Sequence, residues 1–254
     1  MSETLSRRDL FKVAGAAGAA AAAGPAAAQT QPPVAEPADG DRVLFFFTDP
    51  EARFVEAAAE RLIPKDPRWP GAADAGVLFF IDRQLASAWG AGDRMYLKGP
   101  WKPEAAPEQG YQLRFTPAEL YRIAIGEIGE HCRQAYGGKE FWDLGEPVMD
   151  EVLGKLETGG IALPSLPSAV FFETLLANTI EGFFADPAYG GNRGMAGWRM
   201  VGFPGAYAQF VDLVDVHGHE YRREPIGIGN TAAREAHLKA HASHMPAPTG
   251  AGRP

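Results

Sequence analysis

Cysteine is almost missing from these 254 residues; Cys132 stands alone. One thiol excludes an internal disulfide, a cysteine-rich zinc site, an iron–sulfur cluster and a C-x-x-C-H haem attachment. Long hydrophobic runs are missing too. No stretch of about 18 strongly apolar residues occurs, so no candidate transmembrane helix is present. Basic blocks are absent from a chain whose formal charge is −8. That argues against nucleic acid as a partner, because phosphate neutralisation needs clustered Lys and Arg. No P-loop and no serine nucleophile elbow occurs, and alternating strand patterns are scarce. What remains is ordinary globular material, 46% hydrophobic and 22% charged. Its 30 glycines and 21 prolines make up about a fifth of the chain and promise long loops.

The first residues read as an address. Ser6-Arg7-Arg8-Asp9-Leu10-Phe11-Lys12 precedes an Ala/Gly run and ends on small residues around Ala28. A charged start, a weakly apolar middle and a small-residue exit make a cleavable signal over 1–28. The arginine pair with Ser6, Leu10, Phe11 and Lys12 resembles the twin-arginine export signal, which the translocase reads. Removing it takes three cations and two anions and leaves a body of charge −9. Residues 29–47 read as a linker rich in Pro, then the apolar lead-in Leu44-Phe45-Phe46-Phe47.

The body from 48 to 228 has helical periodicity, and we expect one all-α domain with long Gly/Pro-rich loops. Thr48-Asp49-Pro50-Glu51 is a capping box opening a helix that ends before Pro64. A second helix is expected over Asp74–Trp89, apolar nearly all round and therefore central. Thr116-Pro117-Ala118-Glu119 opens the longest helix, which runs to about Tyr136 and carries Cys132 on its apolar face. Further helices are expected over 146–157, 167–184 and 206–216, followed by a polar tail from 229 to 254.

Chemistry-bearing residues concentrate in one connection. Six glycines fall in the sixteen residues 190–205, interleaved with Tyr189, Arg193, Trp198 and Phe203. Glycine permits positive φ and close backbone approach, and Tyr, Trp and Arg dominate interface hot spots. We therefore expect a loop whose Tyr189, Asn192, Arg193, Trp198 and Phe203 face a partner. On that reading, Trp198→Ala or Arg193→Ala would leave the melting of the isolated chain nearly unchanged. Two rival sites are a catalytic one around Asn192, Arg193, His217 and His219, and a metal site. His237, His241 and His244 share one face if the tail is helical. No residue is assigned a catalytic, cofactor or metal role.

The leader, the Arg61-Leu62-Ile63-Pro64 helix end and above all two blocks carry a resemblance. The blocks are Phe183-Phe184-Ala185-Asp186-Pro187-x-Tyr189-Gly190-Gly191-Asn192-Arg193 and Gly197-Trp198-x-Met200-x-Gly202-Phe203-Pro204-Gly205. They resemble the gluconate 2-dehydrogenase subunit 3 family, the small (gamma) subunits of periplasmic flavin-dependent sugar and sugar-acid dehydrogenases. The resemblance implies a non-catalytic chain that carries no cofactor and acts as escort for a large FAD-containing catalytic subunit. It also implies a multihaem cytochrome c partner bearing haem c, export by the twin-arginine translocase, and a periplasmic place at the inner membrane, held there through its partners. The substrate of such a complex, whether gluconate, glucose or another polyol, stays open.

Overall fold

The computed structural model describes residues 43–102, 105–206, 215–218 and 223–229. The leader, most of the linker, nearly all of the helix expected over 206–216, His219 and the histidines of the tail lie outside the described residues. The described residues all belong to one contact unit, Pro33–Pro254. Their architecture is all-α, as the periodicity predicts, and among them no strand forms. They build six α-helices: α1 (Asp49–Leu62), α2 (Val77–Leu85), α3 (Pro117–Ala135), α4 (Glu146–Glu157), α5 (Ser168–Phe184) and α6 (Ala196–Val201). Among them, no helix is long and apolar enough to cross a membrane.

Both capping boxes form. At α1, the Thr48 amide and hydroxyl each donate to Glu51 Oε2 at 2.8 Å. At α3, the Glu119 amide donates to Thr116 Oγ1 and the Thr116 amide donates back to the Glu119 carboxylate. Each box satisfies amides that the first helical turn cannot pair internally. Proline in the first turn of both helices lacks an N–H that would need a partner.

α2 is shorter than its hydrophobic pattern suggests, and the reasons are local. At its start, Gly76 sits at φ 73° and breaks the helical path. At its end, the Ser87 hydroxyl donates to the Gln84 carbonyl, and the Trp89 amide donates to that hydroxyl. This side-chain turn competes with the helix, and Gly90 completes the reversal where a Cβ would overlap the Leu85 carbonyl. α2 is also not the centre. That place belongs to α5, which packs on α4, α2, α1, α3 and α6.

The core runs from Phe54 and Val55 of α1 through Ile81 of α2 and Leu120, Tyr121 and Ile128 of α3 to Phe171 and Leu175 of α5, all at most 1% exposed. Phe54, Phe171 and Tyr121 stack in series with ring centroids 6.2 and 5.4 Å apart. Tyr121 is fully buried and its hydroxyl accepts from Asn178 Nδ2 at 3.1 Å, so the one polar atom of this ring is not stranded. Arg61 ties α1 to α4 through paired bonds to Asp150 at 2.9 Å and a contact with Glu146.

One polar side chain at the core edge has no counterpart in a hydrophobic pattern. Asp82 of α2 is 0% exposed, and its carboxylate accepts the amides of Phe45, Phe46 and Phe47 at 2.7, 3.0 and 2.9 Å. The lead-in bends at Phe45 and Phe46, so that three consecutive amides converge on one carboxylate. Phe47 then packs 6.0 Å from Tyr121, and the Phe46 carbonyl accepts from Arg122 of α3 at 2.7 Å. Removing this acceptor strands the Phe47 amide, the buried one of the three, at about 1–3 kcal/mol for a buried group, and costs the two part-buried bonds as well. Asp82→Ala is expected to lower unfolding free energy by about 2–4 kcal/mol in urea titration, and Asp82→Asn by less, because one acceptor oxygen survives. Equal midpoints for wild type and Asp82→Ala would show that the clamp contributes nothing.

Candidate functional site: a glycine-walled block at the end of the central helix

The connection after α5 is ordered structure and not an open loop, which corrects the expectation from its glycine content. It contains two 3-10 turns, Pro187–Tyr189 and Arg193–Met195, and then α6. Its backbone lies directly on that of α5. A Cβ on Gly191 would overlap the Gly182 carbonyl oxygen, and one on Gly197 would overlap that of Phe183. Gly182 itself faces Phe80 of α2, 2.9 Å from where its own Cβ would stand. These glycines are needed for lack of space.

Asn192 fastens this contact. It adopts φ 48°, ψ 43°, a left-handed conformation that Asn tolerates better than most residues. Its side chain is fully buried; Nδ2 donates to the Ala185 carbonyl and Oδ1 accepts from the Gly197 amide, both at 2.8 Å. The amide bridges the two ends of the turn. Trp198 is only 6% exposed, and its indole N–H donates to the Phe184 carbonyl at 2.6 Å. Phe203 packs edge-on against it at 5.2 Å.

Asp186 performs the same service for a later segment. Its carboxylate accepts the amide of Ala188 at 3.0 Å and that of Ile228 at 2.6 Å. The strap 223–229 is further held by paired bonds around Gly205: Ala206 N–H to the Ile226 carbonyl at 2.7 Å, and Ile226 N–H to the Pro204 carbonyl at 3.1 Å. Gly205 has φ 81°, and a Cβ there would collide with Ile226 and the Trp198 ring. Glycine answers both demands at once.

Arg193 reaches the other way. Its amide donates to the Ala75 carbonyl at 3.0 Å, and its guanidinium lies 4.4 Å over the Phe79 ring. The side chain fills the space that a Cβ on Gly76 would take. It also acts on Glu56 of α1, whose carboxyl is raised above its ordinary value by desolvation, lowered by Arg193 and raised again by Glu60. Arg193 therefore joins the block to α1 and α2.

Of the five residues expected at a partner surface, the structure leaves Tyr189 and Phe203 about half exposed. Arg193 is half-buried. Asn192 and Trp198 are inside, so their side chains are not available at the surface of this chain, contrary to the expectation. Of the rival catalytic set, both ends of the Asn192 amide are engaged within the block, His217 is exposed on a separate described segment, and His219 lies outside the described residues. Among the described residues, no group of three His, Cys, Asp or Glu is placed to hold a metal ion. Cys132 is buried on α3, and burial, with Glu140 adding to it, pushes its thiol up to about 11. That is the opposite of an activated nucleophile.

Two residues of the arrangement escaped the sequence reading. Asp82 has a visible signal, a lone carboxylate in the apolar run Val77-Leu78-Phe79-Phe80-Ile81. Asp186 has one as well, an Asp-Pro start to a turn, but its grip on Ile228 spans 42 positions and leaves no local trace.

The fold and the block define an all-α domain whose glycine-rich sequence signature is structural. A family model described as gluconate 2-dehydrogenase subunit 3 matches residues 49–205. The chain belongs to this family. No curated protein and no solved structure gives a significant match. The match ends at Gly205, so the strap 223–229 that closes over the block lies outside it.

The two classes of glycine should respond differently to a methyl group. Gly191→Ala forces backbone apart and is expected to cost more than 2 kcal/mol, whereas Gly202→Ala meets nothing within 4 Å and pays only for φ 71°, about 1–2 kcal/mol. Trp198→Ala is expected to cost about 3–5 kcal/mol, as a core truncation does. Denaturant midpoints of the isolated chain check all three. A Trp198→Ala chain as stable as wild type would return the indole to the surface role.

Proposed function

We propose that this chain is a non-catalytic small subunit that escorts a large FAD-containing catalytic subunit of a sugar, sugar-acid or polyol dehydrogenase. The observation that carries this reading is membership of the subunit 3 family, combined with the Arg7-Arg8 leader. A family of third subunits makes the chain one subunit among several, which implies partner chains. The leader supplies a reason for the pairing. A flavoprotein that folds around FAD in the cytoplasm needs a route for folded cargo, and the twin-arginine route is one.

The reading extends to the periplasm, at the inner membrane, as part of a complex whose electrons pass from FAD to a multihaem cytochrome c subunit. In that complex this chain supplies fold, surface and address. Its block is supported by buried polar anchors and so presents Tyr189 and Phe203 on a fixed base, as a docking surface requires.

Two expected outcomes follow from the division of labour. Replacing Arg7 and Arg8 by Lys is expected to leave both this chain and the flavin subunit in the cytoplasmic fraction. Continued export of the double variant would overturn the leader assignment. The purified mature chain is expected to be colourless and inactive with sugars or polyols and an artificial acceptor. A flavin or haem absorbance band at one per chain would refute the division.

A further inference from the structure

The connection between α2 and α3 contains a cleft of about 310 Å³, at the small end of the range for ligand sites, and no residue of the glycine-walled block contributes to it. Its lining is aromatic and neutral. Tyr96, Trp101 and Tyr111 supply three rings, Gln109 and Gln112 supply amides, and among the described residues no charged side chain lines it. The stretch 93–109 around it is balanced as well, since Arg94, Lys98 and Lys102 are matched by Asp93, Glu104 and Glu108. A metal ion or a phosphate would find no opposite charge in this lining.

The groups that remain are held in place by the chain around them. The Trp101 ring lies against Gly99, where a Cβ would stand 3.2 Å from it, so backbone supports a ring that is still 44% exposed. The Tyr111 hydroxyl donates to the Phe115 carbonyl at 2.6 Å, which sets its ring beside the start of α3. Gln112 Nε2 donates to the Gln109 carbonyl at 3.0 Å, which fixes the side-chain amide. Among the described residues no group bonds to Gln112 Oε1. The cleft thus offers set rings beside an amide with one acceptor and one N–H to spare.

We propose that this cleft binds a neutral saccharide, with a pyranose ring stacked on Trp101 and its hydroxyls bonded to the Gln112 amide. The negative face of an aromatic ring attracts the C–H face of a pyranose. Hydroxyls both donate and accept, which answers the two free positions of the amide. Competing ligands fit less well. Tyr96 is 81% exposed, so any occupant keeps one edge in water. A polyol keeps that edge hydrated, whereas a planar heterocycle would leave apolar surface there. A proline-rich peptide also stacks on aromatic rings, but its prolines have no N–H to offer Gln112 Oε1. The site belongs to this chain itself and stands whether or not the chain escorts a partner.

The test titrates the purified chain with glucose, cellobiose and maltose and follows the Trp101 indole N–H by NMR, assigned with Trp101→Phe. At least one sugar is expected to shift that resonance saturably, with a Kd of about 1 mM, as suits a small ligand in an open cleft. Trp101→Ala is expected to weaken binding about 10-fold or more, Trp101→Phe by less because a ring remains, and Gln112→Ala about fivefold, the loss of one hydrogen bond. Tyr189→Ala, in the glycine-walled block, should bind like wild type. Glucuronate should bind no more tightly than glucose, because its carboxylate meets no cation. If Trp101→Ala does not fold, Trp101→Phe and Gln112→Ala decide. No saturable shift with any of the three sugars below about 100 mM overturns the proposal. So does binding that these cleft variants leave unchanged, or that Tyr189→Ala abolishes. Tighter binding of glucuronate or of a decaproline peptide than of every neutral sugar overturns the ligand class. None of these results bears on the accessory reading, which is tested by export and by cofactor content.

Discussion

Backbone meets backbone at Gly182, and most of the architecture around the candidate site follows from that contact. On one side α2 presses Phe80 into the space where a Cβ would stand, and on the other Gly191 brings the following turn onto the Gly182 carbonyl. α2, α5 and the turn that follows α5 therefore meet at a residue with no side chain of its own. Close approach gains dispersion contacts that a methyl group would forbid, but it also buries peptide groups that must find partners. Asn192 supplies two of them in one residue. The tight contact and the buried amide are thus a single device: the glycines permit the approach, and the asparagine satisfies what the approach desolvates.

The same solution recurs in the segment before α1 and in those after α1 and α5. In a sheet, the amides of such connections would pair with a neighbouring strand, and here they pair with carboxylates. Asp82 receives three consecutive amides of the lead-in, Asp186 receives the amides of Ala188 and Ile228, and Glu60 receives those of Lys65 and Ala73. A carboxylate accepts several bonds without donating any, and bonds to a charged acceptor are stronger than neutral ones. This allows an all-α chain with many glycines and prolines to keep long connections ordered. Surface pairs such as Arg199 with Glu224, the latter 83% exposed, add little beside them.

Helices were legible where their signals are local. The two capping boxes, the Pro-led first turns and the apolar faces of α1, α3, α4 and α5 depend on residues three or four positions apart, and the structure reproduces them within a residue or two. α2 was misjudged in length because Gly76 and Ser87 act as punctuation inside an apolar pattern. The centre was misjudged because an all-round apolar stretch can be short, and α5 has more length with which to touch every neighbour. At the site, glycine density correctly marked close approach, but Trp198 illustrates the limit of composition. A tryptophan in a Gly-rich segment suits an interface and an interior equally, and only its bond to the Phe184 carbonyl decides between them. Long-range clamps such as Asp186 to Ile228 leave no periodic signal at all.

A subunit that keeps its best anchors inside must recognise a partner with what remains outside. The block retains Tyr189 and Phe203 at its surface, on a base whose conformation is set by glycine contacts and buried amides. Such a base loses little freedom on association, and this preorganisation reduces the entropy opposing binding. The α2–α3 connection exposes further rings, Tyr96, Trp101 and Tyr111, around a cleft whose lining holds no charged side chain. Aromatic contacts lengthen residence, whereas complementary charge speeds encounter and fixes orientation. Where a chain meets a partner at more than one place, the contacts act as linked events and modest ones sum. The buried polar clamps matter to that outcome indirectly. They fix the segment on which Tyr189 and Phe203 are exposed.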